Sequence, residues 1–232
     1  MISYQKFWAF IILVFYSTFV YAQGNRIFVD WSNATGSQDG LFWASAYSKL
    51  TDALDAAVAG DSIWVASGTY FPTYGEDRHS TFELKKGVKV FGGFRGNEWS
   101  IEQRDTSGVI STLSGELGVY ADSSDNCYHV VTASSPDEHT VLDGFRIRDG
   151  NSNGNTFDTR YGGGLFITTE DGDTSASKMI IRNCTFEYNS GSYGAAIGVN
   201  SPDNLGITPR LENCHFTNNH ALVYGGAFHR SE

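Results

Sequence analysis

Short apolar runs that alternate with polar residues, cut by glycine and asparagine, recur along most of this chain. Arg26-Ile27-Phe28-Val29-Asp30 predicts a first strand, followed by a polar loop through Asp39-Gly40. From Ala44 to Val58, Ala46, Leu50, Ala53, Leu54, Ala57 and Val58 fall at helical spacing, with Ser48 or Thr51 to start the helix and Gly60 to end it. Asp61 to Ala66 predicts the next strand and Ser67-Gly68-Thr69 a turn. Further strands are predicted at Thr81 to Leu84, Val88 to Phe91, Val109 to Leu113, Tyr128 to Thr132 and Val141 to Ile147, with no second helical pattern.

The later strands belong to a phrase stated three times. Leu142 to Gly150, Ile181 to Asn189 and Leu211 to Asn219 correspond, and each is followed by Tyr161-Gly162, Tyr193-Gly194 or Tyr224-Gly225. Cys184 and Cys214 are 30 residues apart. A period of that size built from strands and turns predicts stacked repeats, each pairing in parallel with its neighbours. Alternation points Cys184 and Phe186 inward and Thr185 outward, and Ile181 breaks the alternation three residues earlier. A bend resolves the break. Its slot holds Gly144, Asn183 and Asn213, residues that tolerate a left-handed backbone. Stacked asparagines can also bond from repeat to repeat. Phe145, Cys184 and Cys214 then form one inward column, and Ile147, Phe186 and Phe216 a second. Three short strands per repeat are expected, and the one helix is expected to cover the end of the first.

The first residues predict export. Lys6, the apolar run Phe7 to Val20 and small residues at Val20 and Ala22 make residues 1–22 a signal peptide, cleaved before Gln23. The apolar run is too short to span a bilayer comfortably, so no transmembrane helix is expected after cleavage. Residues 23–125 are read as the cap and first coils, and residues 126–232 as the clear repeats. A formal net charge of −10 argues against nucleic acid, which favours a basic stripe. At the adjacent-strand spacing of about 4.8 Å, Cys184 and Cys214 suit two thiols filling core space better than a disulfide, although a disulfide is geometrically open to them.

Such geometry resembles the right-handed parallel β-helix of the pectin-lyase-like superfamily. Phe186-Glu187-Tyr188-Asn189 and Phe216-Thr217-Asn218-Asn219 look like the FxxN repeats of polymorphic outer-membrane proteins. Gly225-Gly226-Ala227-Phe228 is similar to their glycine-rich partner repeat, and Gly194-Ala195-Ala196-Ile197 is a degenerate copy. Ile27 to Tyr70 is similar to the first region of bacterial secreted choice-of-anchor β-helix proteins. The resemblance implies an all-β fold, a single-stranded right-handed parallel β-helix with one N-terminal capping helix, on a bacterial surface or secreted. Further coils and an anchoring domain are expected downstream of Glu232.

Two function classes follow from that resemblance. One is non-catalytic adhesion or recognition, with glycan or surface-protein partners. The other is a calcium-assisted uronate lyase, which needs a basic group at the reacting proton and a cation for the developing charge. Outward slots on the repeats hold Arg146/Thr185/His215, Arg148/Glu187/Thr217 and Asp143/Arg182/Glu212, read as solvated mixed-charge columns rather than catalytic residues. Glu170, Asp171 and Asp173 on a glycine turn are candidate calcium ligands, with an acidic solvated loop as the alternative. No other cofactor is indicated. His129 is placed inside a strand as a packed histidine. Tyr161, Tyr193 and Tyr224 form a column that is either structural or a sugar-stacking strip.

Overall fold

The structure, a computed structural model, describes residues 24–33, 36–169, 178–200 and 209–231. Its described residues form nineteen short β-strands and one α-helix, and every strand pairing is parallel. The first sheet runs Arg26–Val29, Ser62–Ala66, Lys89–Phe94, Val141–Asp143, Ile180–Arg182 and Arg210–Glu212. The second runs Gly68–Tyr70, Ser111–Ser114, Phe145–Arg148, Thr185–Glu187 and His215–Thr217. In the third lie Phe82–Leu84, Val131–Ser134, Leu165–Thr168, Ile197–Asn200 and Phe228–Ser231. A fourth, Asn151–Ser152, Ser190–Tyr193 and His220–Tyr224, adds a strand per repeat beyond the three expected. Asn151–Ser152 and Ser190–Ser192 are polar or small and lack the apolar alternation that marks the others. From Ser62 on, the chain visits the sheets in one fixed cycle: first, second, fourth where present, third. This order is compatible with a parallel β-helix.

Register follows the phrase. Thr185 lies between Arg146 and His215, and Phe186 between Ile147 and Phe216. The Phe186 and Phe216 rings stack with centroids 5.3 Å apart and planes 8° from parallel. Leu142, Ile147, Ile181, Cys184, Phe186, Ile197 and Val199 are fully buried in one core that includes the helix residues Leu50, Ala53 and Leu54. Each turn of the cycle bends through left-handed residues. The first corner holds Gly144, Asn183 and Asn213, with φ of 83°, 52° and 51°. A second holds Asp149, Tyr188 and Asn218, and a third Gly162, Gly194 and Gly225. Asn183 sends its amide to Asp143 at 2.9 Å, and Asn213 reaches Asn183 at 3.5 Å.

Three local expectations are corrected. The helix is shorter, Leu50–Ala56, and no side chain caps it; Ser48 instead donates to Gln38 Oε1 at 2.9 Å. Gly68–Tyr70 is a strand rather than a turn, because Gly68 at φ 143° lets it enter the second sheet beside Ser111. Likewise Gly92 and Gly93 sit inside Lys89–Phe94, where a register shift against Trp64 and Ala66 absorbs them.

Candidate functional site

On the first sheet, Ile27, Ile63 and Val90 share one register column and Val29 and Val65 lie two residues on along the same face, all packed in the core. The alternate residues therefore face away from it. They are aromatic. Phe28, Trp64 and Phe91 form a second apolar cluster with Phe94, Val141 and the flanking Trp43 and Ile101. Trp64 stacks on Phe94 at 4.5 Å, and Phe28 meets Trp43 at 4.7 Å. Above this floor lies an open groove of about 760 Å³, lined also by Leu41, Phe42 and Ile101. Two lining residues, Arg26 and Lys89, carry positive charge, and none of the lining residues is a carboxylate. In a chain of net charge −10 that contrast favours electron-rich or anionic ligands. Arg26 lays its guanidinium 4.2 Å from the Trp64 ring centroid and donates to the Trp99 carbonyl at 3.1 Å.

The wall that carries Trp99 and Ile101 is pinned from within. Buried Glu98 accepts the backbone N–H groups of Arg95, Gly96 and Asn97 at 2.7, 3.1 and 3.1 Å, and its carbonyl accepts Trp43 Nε1–H at 2.7 Å. Leu41, Phe42 and Trp99 are 60%, 70% and 76% exposed, so large apolar surfaces stand free beside the groove. The strand Ser62–Ala66 buries four successive residues, and its unbroken apolar run Ile63-Trp64-Val65-Ala66 is the sequence sign that both faces of this sheet are covered. Nothing in the local pattern could place Phe42 and Trp99, which come from loops.

Next along the same column, Phe91 pairs with Asp143 and Asp143 with Arg182. The solvated ladder expected here is instead a closed ion cluster. The Asp143 side chain is 0% exposed, because Arg104 folds over it from a loop: the Arg104 and Arg182 nitrogens lie 2.7 and 2.6 Å from Asp143 Oδ2. Arg104 also donates to the carbonyls of Gly92 and Asp143, each at 3.3 Å. Burial pushes the Asp143 carboxyl up, but the bonds from Arg104, Asn183 and Arg182 together hold it below the usual carboxylate range.

On the second sheet, Arg148 is nearer Asp149 (2.8 Å) than Glu187 (4.0 Å), and Glu187 is nearer Arg146, at 3.4 Å. Both guanidinium groups are thus engaged by carboxylates. Tyr161 and Tyr193 stack at 4.9 Å with planes 17° apart, and His229 packs 5.3 Å from Tyr193. Those two ring faces cover one another, while Tyr224, 6.2 Å from Tyr193, stands 65% exposed. His129 lies outside the strand that begins at Val131; its ring nitrogens sit 3.0 Å from the Gly162 carbonyl and 2.6 Å from that of Asp158, with Phe166 stacked at 4.8 Å. Burial pushes its pKa down. Glu170, Asp171 and Asp173 lie outside the described residues, as does the leader. Among the described residues, no three His, Cys, Asp or Glu side chains gather as a metal-holding group, and no helix is long and apolar enough to cross a membrane.

Cys127, Cys184 and Cys214 are free thiols. Burial pushes Cys127 up to about 12 and raises Cys184 and Cys214 too. Thiolate is the reactive form. At mildly alkaline pH the folded protein is therefore expected to react with a thiol-selective disulfide reagent far more slowly than the urea-unfolded chain, which titrates all three. Rapid modification of Cys184 in the folded state would contradict its burial. Comparison of the chain with known protein families, with curated proteins and with solved structures finds no match to any of them.

Proposed function

We propose that the chain forms a right-handed parallel β-helix, exported to a bacterial surface or medium, that recognises glycan along the first-sheet groove without catalysing a reaction. The fixed cycle of parallel sheets supports the helix, and crossovers between parallel strands are overwhelmingly right-handed. Residues 1–22 support export. The observation that carries the binding role is the groove itself, where exposed Phe42 and Trp99 offer ring faces above the closed aromatic floor of Phe28, Trp64 and Phe91, with Arg26 and Lys89 as hydrogen-bond donors. Sugars present apolar ring faces and hydroxyl edges at once, and aromatic faces with flanking donors answer both.

The test is affinity electrophoresis of the protein through gels holding neutral or acidic polysaccharides. A retarded band is expected, and Phe42→Ala with Trp99→Ala should weaken retention by about tenfold. Both residues are exposed, so the fold survives their loss. Unretarded migration through every polysaccharide, or retention indifferent to both substitutions, would remove the groove from consideration. Appearance of unsaturated-uronate absorbance on incubation with pectate or alginate and calcium would replace the non-catalytic reading with a lyase.

A further inference from the structure

A smaller cavity of about 250 Å³ opens where two loops leave the second sheet. One loop follows Gly68–Tyr70 and supplies Phe71 and Tyr74; the other follows Ser111–Ser114 and supplies Glu116, Leu117 and Tyr120. Their parent strands are neighbours, with Tyr70 beside Leu113, so the loops emerge side by side. Three of the lining residues are aromatic, one is a carboxylate and none is a cation. Tyr74 and Tyr120 are 77% and 89% exposed, while Leu117 is buried.

We propose that this slot binds an alkylammonium group, with Phe71, Tyr74 and Tyr120 as ring walls and Glu116 as the counter-charge. Aromatic faces attract an organic cation through their quadrupoles, and a carboxylate beside them adds a full charge. An anion is repelled by Glu116, and a neutral sugar leaves its charge unanswered. The surroundings deepen the negative potential. Burial, then Asp149 and Asp125, push the Glu116 carboxyl up against the Ala121 N–H and Arg148, so a cation in the slot supplies the stabilisation that its ionised form lacks. The loop backbones are set in advance. Glu116 Oε1 accepts Ala121 N–H at 2.9 Å, Asp125 accepts Val119 N–H at 2.7 Å, and Thr73 accepts Gly75 N–H at 3.0 Å. Little backbone ordering is left to be done on binding.

Choline chloride is the probe, titrated into the whole chain and followed by calorimetry and tyrosine fluorescence. Saturable binding in about the millimolar range is expected, with the uncharged isostere in which carbon replaces nitrogen at least about tenfold weaker. Glu116→Gln and Tyr120→Ala should each weaken choline by about tenfold while the circular dichroism stays unchanged. Affinity should fall as pH drops through the Glu116 titration. Phosphatidylcholine vesicles and a lysine-rich peptide, each competed with free choline, separate a lipid headgroup from a protein side chain as the source; competition in either arm supports the slot. Equal binding of the isostere, choline binding indifferent to both variants, or no saturable signal overturns the proposal.

Discussion

Replacing Asp143 with alanine should lower the folding free energy by about 3–5 kcal/mol, read from urea unfolding. The magnitude comes from what is left behind rather than from the strength of any one bond. Arg104 has a side chain only 11% exposed, and without the carboxylate its charge stays largely buried. Asn183, held left-handed at the first corner, loses its 2.9 Å acceptor at the same time. The comparison variant is Arg95→Ala. Arg95 pairs with Asp105 at 3.3 Å with both side chains well exposed, and its loss should change stability by less than about 1 kcal/mol. An Asp143→Ala effect as small as that would mean that water reaches the cluster.

Acid acts on the same node. The unfolded aspartate titrates near about 3.9, and in the fold the Asp143 carboxyl is held lower. The unfolded chain therefore takes up the proton first. The stabilisation is complete above the unfolded value and is lost as pH falls through the folded one. Asp143→Asn should flatten that acid limb of the stability curve.

The parallel pairing and register of the last three repeats were legible because the phrase itself aligns Thr185 with His215 and Phe186 with Phe216. The left-handed corner was legible because glycine and asparagine share a slot. What escaped depends on contacts between distant segments. Arg104 lies 39 residues from Asp143, and no periodicity joins them. Leu41, Phe42 and Trp99 sit on loops whose path over the first sheet follows from Trp43, Glu98 and Arg26, one anchor at a time. The fourth sheet is nearly silent in hydrophobic pattern, since Ser190, Gly191 and Ser192 carry no apolar alternation. The second corner was hidden differently. The FxxN phrase marks it only by resemblance, and Asn189 and Asn219 form a second ladder there, beside the contact of Asn213 with Asn183 at the first corner.

Asn189 is the member of that phrase with most at stake. It is fully buried, yet every polar group of its side chain is answered. Its Nδ2 donates to the Ile147 carbonyl at 3.1 Å and to Asn219 Oδ1 at 3.0 Å, while its Oδ1 accepts Gly150 N–H at 3.1 Å. Asn219 repeats the arrangement one coil on, donating to the Phe186 carbonyl at 2.9 Å. Each asparagine thus replaces, inside the bend, backbone partners that the corner takes away. Asn189→Ala orphans a buried N–H and a buried carbonyl, each costing about 1–3 kcal/mol, so a loss of about 3 kcal/mol or more is expected. Asn189→Asp should be at least as severe, because an oxygen then faces the Ile147 carbonyl and Asn219 Oδ1, both acceptors. Asn219→Ala should cost less, since that side chain is only half-buried and water can answer the groups it leaves. If Asn219→Ala proves as costly as Asn189→Ala, burial is not what gives the ladder its strength, and the order of these three unfolding energies decides the matter.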